Sequence, residues 1–145
     1  MCEETFVAER GRGATLDGEP IGVSETEEPI QGLIATGLPY DRERIPEALE
    51  LFGRFAALSR GMRRLGAAAL DLCYVACGRL DGYYERGLWP WDVAAGSLIL
   101  GEAGGEVTDY RGGALDLAGR EVVASNGRLH PAMIRLTDED GRQSV

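Results

Sequence analysis

Trp91-Asp92-Val93-Ala94-Ala95-Gly96-Ser97-Leu98-Ile99-Leu100-Gly101-Glu102-Ala103-Gly104-Gly105 is the stretch on which the fold turns. It reads as a helix from Asp92 to about Ala103, stopped by Gly104-Gly105, with small residues that let it pack closely beneath a site. Asp92 follows a Pro-Trp loop and opens the helix, where the macrodipole favours an ionised carboxylate by ~0.3–1 kcal/mol. An aspartate there serves as a cap, and the same anionic oxygen could ligate a hard cation.

Working outward, Gly82-Tyr83-Tyr84-Glu85 precedes this helix as a strand, followed by the tight loop Arg86-Gly87-Leu88-Trp89-Pro90. Upstream, Ala67 to Cys77 reads as a small-residue helix ended by Gly78, and Met62 to Leu65 as a short strand. Pro46 opens an amphipathic helix through Leu58, and Gly32 to Thr36 is a buried strand. Downstream, Glu106–Tyr110 and Val122–Ser125 read as strands, with a last helix near Pro131 and a frayed polar tail over 137–145. Alternating strands and helices predict a layered α/β body. The first 25 residues differ: short extended runs around Gly11-Arg12-Gly13 and Asp17-Gly18 predict a remnant of an antiparallel sheet with one tight hairpin turn. Its first strand would be an exposed edge.

Composition narrows the partners. The 145 residues suit one compact domain. A net charge of -9 without a basic stripe argues against nucleic acid and anionic membranes. No apolar run approaches the about 18 residues of a membrane span, and no signal-like segment is visible, so a cytoplasmic protein is expected. Cys2, Cys73 and Cys77 form no CxxC pair, and Cys73 and Cys77, one helical turn apart, are expected to pack in the core. His130 reads as surface or helix-start structure, and Trp89 and Trp91 as packing for the loop before the helix.

The opening segment is similar to the second signature of the inositol monophosphatase family, Trp-Asp-x-Ala-Ala/Gly followed by an apolar helix and Glu-Ala-Gly-Gly. The resemblance continues in order through Thr5–Ala14 with Leu16-Asp17-Gly18, Thr36–Tyr40, Arg64–Leu72, Gly82–Glu85 and Ala124-Ser125-Asn126. It implies a sugar-phosphatase-like α/β sandwich, present as the C-terminal half: a single partial domain over 1–136, divided into the sheet remnant (1–25) and an α/β subdomain (26–136). It further implies that Asp92 is a metal ligand lying near the substrate hydroxyls and that Glu85 binds those hydroxyls. A carboxylate accepting two hydroxyl protons gives Glu85 a physical reason for that role, although the same residue alone would suit a solvated strand end. Gly66, Ala67 and Ala68 match a Gly-Thr-Ala stretch whose backbone lines the pocket. Ala67 replaces a residue that often carries a hydroxyl.

The family's chemistry is Mg²⁺-assisted hydrolysis of a phosphomonoester, with a metal-activated water attacking in line. Most of its ligands lie on an early glutamate and an Asp-Pro-Ile/Leu-Asp-Gly-Thr signature, which is absent here; Asp17-Gly18 and Asp81-Gly82 lack the preceding Asp-Pro-x. The expectation is therefore a chain with no catalytic residue of its own, inactive alone. It would serve a small phosphorylated polyol such as inositol phosphate, with Mg²⁺ as cofactor, as a homodimer or with a missing N-terminal half. Fructose-1,6-bisphosphatases share the scaffold, but Tyr83-Tyr84-Glu85 resembles the inositol type more closely. The alternative is a non-catalytic dimerisation or regulatory module derived from the family.

Overall fold

The computed structural model describes residues 3–138. Its first unit is a three-stranded antiparallel sheet of β1 (Phe6–Ala8), β2 (Ala14–Leu16) and β3 (Glu19–Pro20) in that order. Between β2 and β3, Asp17 and Gly18 both take positive φ (52° and 87°), the conformation a two-residue hairpin turn demands. Asp17 also accepts a hydrogen bond from the Thr5 amide at 2.8 Å, which fixes the turn to the start of β1.

The second unit is a five-stranded mixed sheet of β4 (Leu33–Thr36), β5 (Gly61–Arg63), β6 (Gly82–Arg86), β7 (Glu106–Thr108) and β8 (Glu121–Ser125). Its order is β5-β4-β6-β8-β7, with β4 parallel to both β5 and β6, and β8 antiparallel to β6 and β7. Four helices flank it: α1 (Ile45–Leu58), α2 (Ala68–Ala76), α3 (Pro90–Glu102) and α4 (His130–Asp138). The strand period of two separates two cores. Ile34, Tyr84 and Val123 meet Leu51, Phe55, Leu129 and Met133 on the α1/α4 side, where the Phe55 and Tyr84 rings stack at 4.0 Å. Their neighbours Ala35, Tyr83, Val122 and Ala124 meet Leu72, Val75, Val93 and Leu100 on the α2/α3 side.

Helices α2 and α3 pack closely because α3 carries Gly96, where a Cβ would lie 2.7 Å from Leu72 Cβ. The three-stranded sheet, through Phe6, Ala8 and Ala14, and the segment after it, through Ile21 and Val23, cover this helix pair, so α3 has apolar neighbours on two sides. Glu102 at its last turn clamps the β1–β2 loop, accepting the Gly11 and Gly13 amides at 2.9 Å each. Those bonds hold the Glu102 carboxyl below the usual carboxylate range.

Three expectations change. Helix α3 begins at Pro90, so Asp92 is its third residue and not its opening one. Helix α4 runs to Asp138, and Thr137 is 1% exposed with its hydroxyl donating to the Tyr110 carbonyl at 2.8 Å. The ordered body therefore includes the first two residues assigned to a frayed tail; 139–145 lie outside the described residues. His130 is buried rather than superficial, though it does start α4. Thr108 Oγ1 donates to the Asp109 carbonyl, so it accepts from His130 Nε2 at 2.9 Å, leaving Nδ1 to accept from the Ser125 hydroxyl at 3.0 Å. Burial pushes the imidazole pKa down, and it stays neutral in that tautomer.

Candidate functional site

Connectivity decides where a site forms. Strand β4 feeds α1 on one face and β5 feeds α2 on the other, so the chain reverses direction around the carboxyl end of β4. Open α/β sheets bind ligands in the crevice such a reversal leaves. The N-termini of α1, α2 and α3 all follow the carboxyl ends of parallel strands, which brings their positive dipole ends to this edge.

Glu85, the penultimate residue of β6, occupies that crevice. The strand period puts it on the same face as Tyr83, whose hydroxyl donates to Glu85 Oε2 at 2.6 Å. On the neighbouring strand end lies Gly37, and a Cβ there would overlap all three atoms of the Glu85 carboxyl. Glycine is thus required for Glu85 to hold this position. Burial raises the Glu85 pKa, while the Tyr83 bond and the Arg64 charge oppose that rise and the Asp92 charge adds to it. Burial and Glu85 drive the Tyr83 hydroxyl far above its ordinary range, so it remains a donor.

The other expected site residues reach the same edge from two helices. Gly66, with φ of 88°, turns the chain into α2. Ala67 is the N-cap in extended conformation and Ala68 the first helical residue, so Ala67 and the turn before it present backbone rather than side chain. Asp92 is half-buried at the third position of α3, with Oδ2 accepting the Trp89 amide at 2.8 Å. Its capping role is therefore real, and Oδ1 is the oxygen not used for it. Electrostatic coupling of Glu85 to Asp92, Arg64 and Asp71 brings β6, α3, the β5–α2 connection and α2 into one cluster.

Asp71, Gly37 and Tyr83 were not expected in this cluster. Asp71 had a readable signal, being the one acidic residue in the apolar run from Ala67 to Cys77. Gly37 had none, since its partner is 48 positions away. Arg86, on the opposite face from Glu85, pairs with Glu47 and with Glu121 at 3.0 Å and lies over the Tyr110 ring at 4.4 Å. A crevice of ≈ 30 Å³ at this strand end is lined by Gly37, Glu47, Tyr84, Glu85 and Arg86 among others, so the Glu85 carboxyl borders it as well.

Trp89 and Trp91 do not pack into the body. They stack on each other at 5.2 Å, with the Arg120 guanidinium 4.3 Å above Trp89, and Trp91 is 72% exposed. Cys73 is buried, which pushes its thiol up to about 11 and leaves it inert, while Cys77 is half-buried.

Magnesium fits this residue set poorly. Among the described residues no group of three His, Cys, Asp or Glu side chains is placed to hold a metal. Asp92 has one oxygen committed to the Trp89 amide, and the Glu85 carboxylate is engaged by Tyr83. A cation needing near-octahedral oxygen ligation is not bound by what remains.

The body is thus a layered α/β sandwich with a carboxylate and helix-start backbone gathered at the carboxyl ends of its parallel strands. The chain belongs to the inositol monophosphatase family, whose model matches residues 1–142. It is 47% identical over 137 residues to the chloroplastic phosphatase IMPL1 of Arabidopsis thaliana, covering 92% of this chain and 37% of that protein. It is 38% identical over 146 residues to the Nus factor SuhB of Vibrio cholerae, covering 100% of this chain and 55% of that protein. The solved inositol monophosphatase from Anabaena superposes with a TM-score of 0.90 at 45% identity, over 94% of this chain and 54% of that one. The chain thus spans about half the length, or less, of these relatives. The match establishes the family, and it does not bear out the narrower expectation of a C-terminal half.

Proposed function

We propose that this chain supplies the substrate-hydroxyl wall of a Mg²⁺-dependent phosphomonoesterase acting on inositol phosphate or a similar small polyol phosphate. The observation that carries the reading is Glu85: a half-buried carboxylate seated against Gly37, oriented by Tyr83 and bordering the crevice at the carboxyl end of β4. Its oxygens accept protons from adjacent hydroxyls of a polyol, while the Gly66–Ala68 backbone lines the neighbouring wall. Asp92 contributes its uncommitted oxygen to a metal whose other ligands come from the portion of the family fold that this chain does not span. The isolated chain is then inactive.

Two assays test this. Purified chain with Mg²⁺ and inositol 1-phosphate is expected to show no turnover; robust turnover abolished by Asp92→Asn would overturn the incomplete site. Substituted for the matching portion of the Anabaena enzyme, the chain is expected to support hydrolysis. There Asp92→Asn lowers activity roughly 10²-fold, and Glu85→Gln raises KM about tenfold. A folded but inactive chimera would sink the phosphatase reading and favour the second one. That second reading, a non-catalytic module, is favoured by the similarity to a protein named as a Nus factor.

A further inference from the structure

His130 ties three elements together at one buried point. It is the first residue of α4 and 3% exposed; its ring reaches Thr108 on the edge strand β7 through Nε2 at 2.9 Å and Ser125 at the end of β8 through Nδ1 at 3.0 Å. The bonds around it fix where each proton lies. Thr108 Oγ1 donates to the Asp109 carbonyl and so accepts from Nε2. Ser125 Oγ accepts the Gly127 amide at 3.0 Å and donates its own proton to Nδ1. The neutral imidazole, protonated at Nε2, satisfies both hydroxyls.

A second ring proton has no place in this arrangement. On Nδ1 it would meet the Ser125 hydroxyl hydrogen, and if that hydroxyl turned away its proton would lose its acceptor at a residue that is fully buried. Burial also disfavours the cation, while Glu106 on β7, an exposed carboxylate 4.0 Å from Nε2, favours it. Among the described residues no other charged group acts on the ring.

We propose that His130 is an acid-sensitive latch: the neutral imidazole pins the start of α4 to β7 and β8, and uptake of a solvent proton at Nδ1 lets that end of the helix go. Its neighbours Leu129 and Met133 belong to the same core as Ile34, Phe55 and Tyr84, and with Ala132 they line a ≈ 380 Å³ apolar cleft beside α1. Release of the helix start therefore loosens the layer on that side of the sheet. The sign follows from the folded chain holding the ring neutral. The stability this gives is full above the unfolded-state value of about 6.5 and declines as pH falls below it.

The test follows the isotope-labelled chain by NMR between about pH 4 and about pH 8. The His130 ring is expected to titrate below its ordinary value, with the Thr108, Ser125 and Gly127 amides sharing its midpoint and amide exchange over the first turn of α4 quickening beneath it. In His130→Gln, exchange over that turn is expected to lose this dependence. Two further variants read the geometry itself. Ser125→Ala removes the bond that favours neutral Nδ1 and is expected to raise the His130 midpoint by about 0.5–1 pH unit. Glu106→Gln removes the charge that favours the cation and is expected to lower it by less than about half a unit. A ring titrating at or above its ordinary value, α4 exchange that ignores the wild-type midpoint, or a dependence that survives in His130→Gln would overturn the latch. If His130→Gln does not fold, the opposite shifts in the other two variants decide, and a midpoint unmoved by Ser125→Ala overturns it.

Discussion

The two ends of β6 hold buried carboxylates in opposite circumstances. At the amino end, Asp81 accepts the Ser24 hydroxyl and the Leu33 amide at 2.6 Å each. Asn126 adds bonds to Ser24 and to the Thr26 carbonyl, and accepts the Leu129 amide at 3.0 Å. Each oxygen of Asp81 has a donor, and the network ties the segment after the hairpin sheet to β4, β6 and the start of α4. Toward the carboxyl end, the Glu85 charge raises the pKa of the buried Asp71 on α2, whose Oδ1 is unpartnered. Satisfied buried polar groups hold a fold together, whereas groups left in electrostatic conflict mark a place where charge is used.

The largest expected break in this contrast is Asp81→Ala. It removes two charge-assisted bonds and leaves the Leu33 amide buried without an acceptor, costing about 3–5 kcal/mol in urea unfolding. Asp71→Asn is expected to act in the opposite direction. A folded-state pKa near 7, raised from 3.8, means its stabilisation is full at low pH and lost as pH rises toward 7. The linkage ceiling is about 4 kcal/mol, and the amide's own burial leaves a gain of about 1–2 kcal/mol at pH 8 and little at pH 4. A destabilised Asp71→Asn at pH 8 would erase the distinction between the two ends.

Smaller effects sharpen the same contrast. Tyr83→Phe removes the Glu85 hydrogen bond at about 1 kcal/mol and raises the Glu85 midpoint further, because the lost bond was one of the groups lowering it; carboxyl NMR reads that sign directly. Trp91→Ala, on an exposed ring, should change stability by no more than about 0.5 kcal/mol. A larger loss on thermal unfolding would show that the Trp89–Trp91 stack supports the start of α3.

Local signals in the chain were enough to place most elements. Asp17-Gly18 demanded a hairpin turn, and Pro46 started a helix whose apolar residues recur at helical spacing. Gly104-Gly105 stopped another. Glu85 and Asp92 could be named because their motifs are contiguous. What could not be read was which buried polar group opposes which. The charge of Glu85 acts on Asp71 across 14 positions, Gly37 meets Glu85 across 48, and Asp81 meets Ser24 across 57.

The amino-acid sequence by itself determined the order of strands and helices, the tight turns and the family, because those depend on neighbours within a few residues. Only the tertiary structure decided that α2, α3 and the end of β6 share one crevice. It also decided that Asp92 caps a helix with one oxygen while the other stays uncommitted. The physical reason is that burial and charge coupling are properties of surroundings assembled by packing. A carboxylate acquires its partner, or its conflict, only when distant segments close around it.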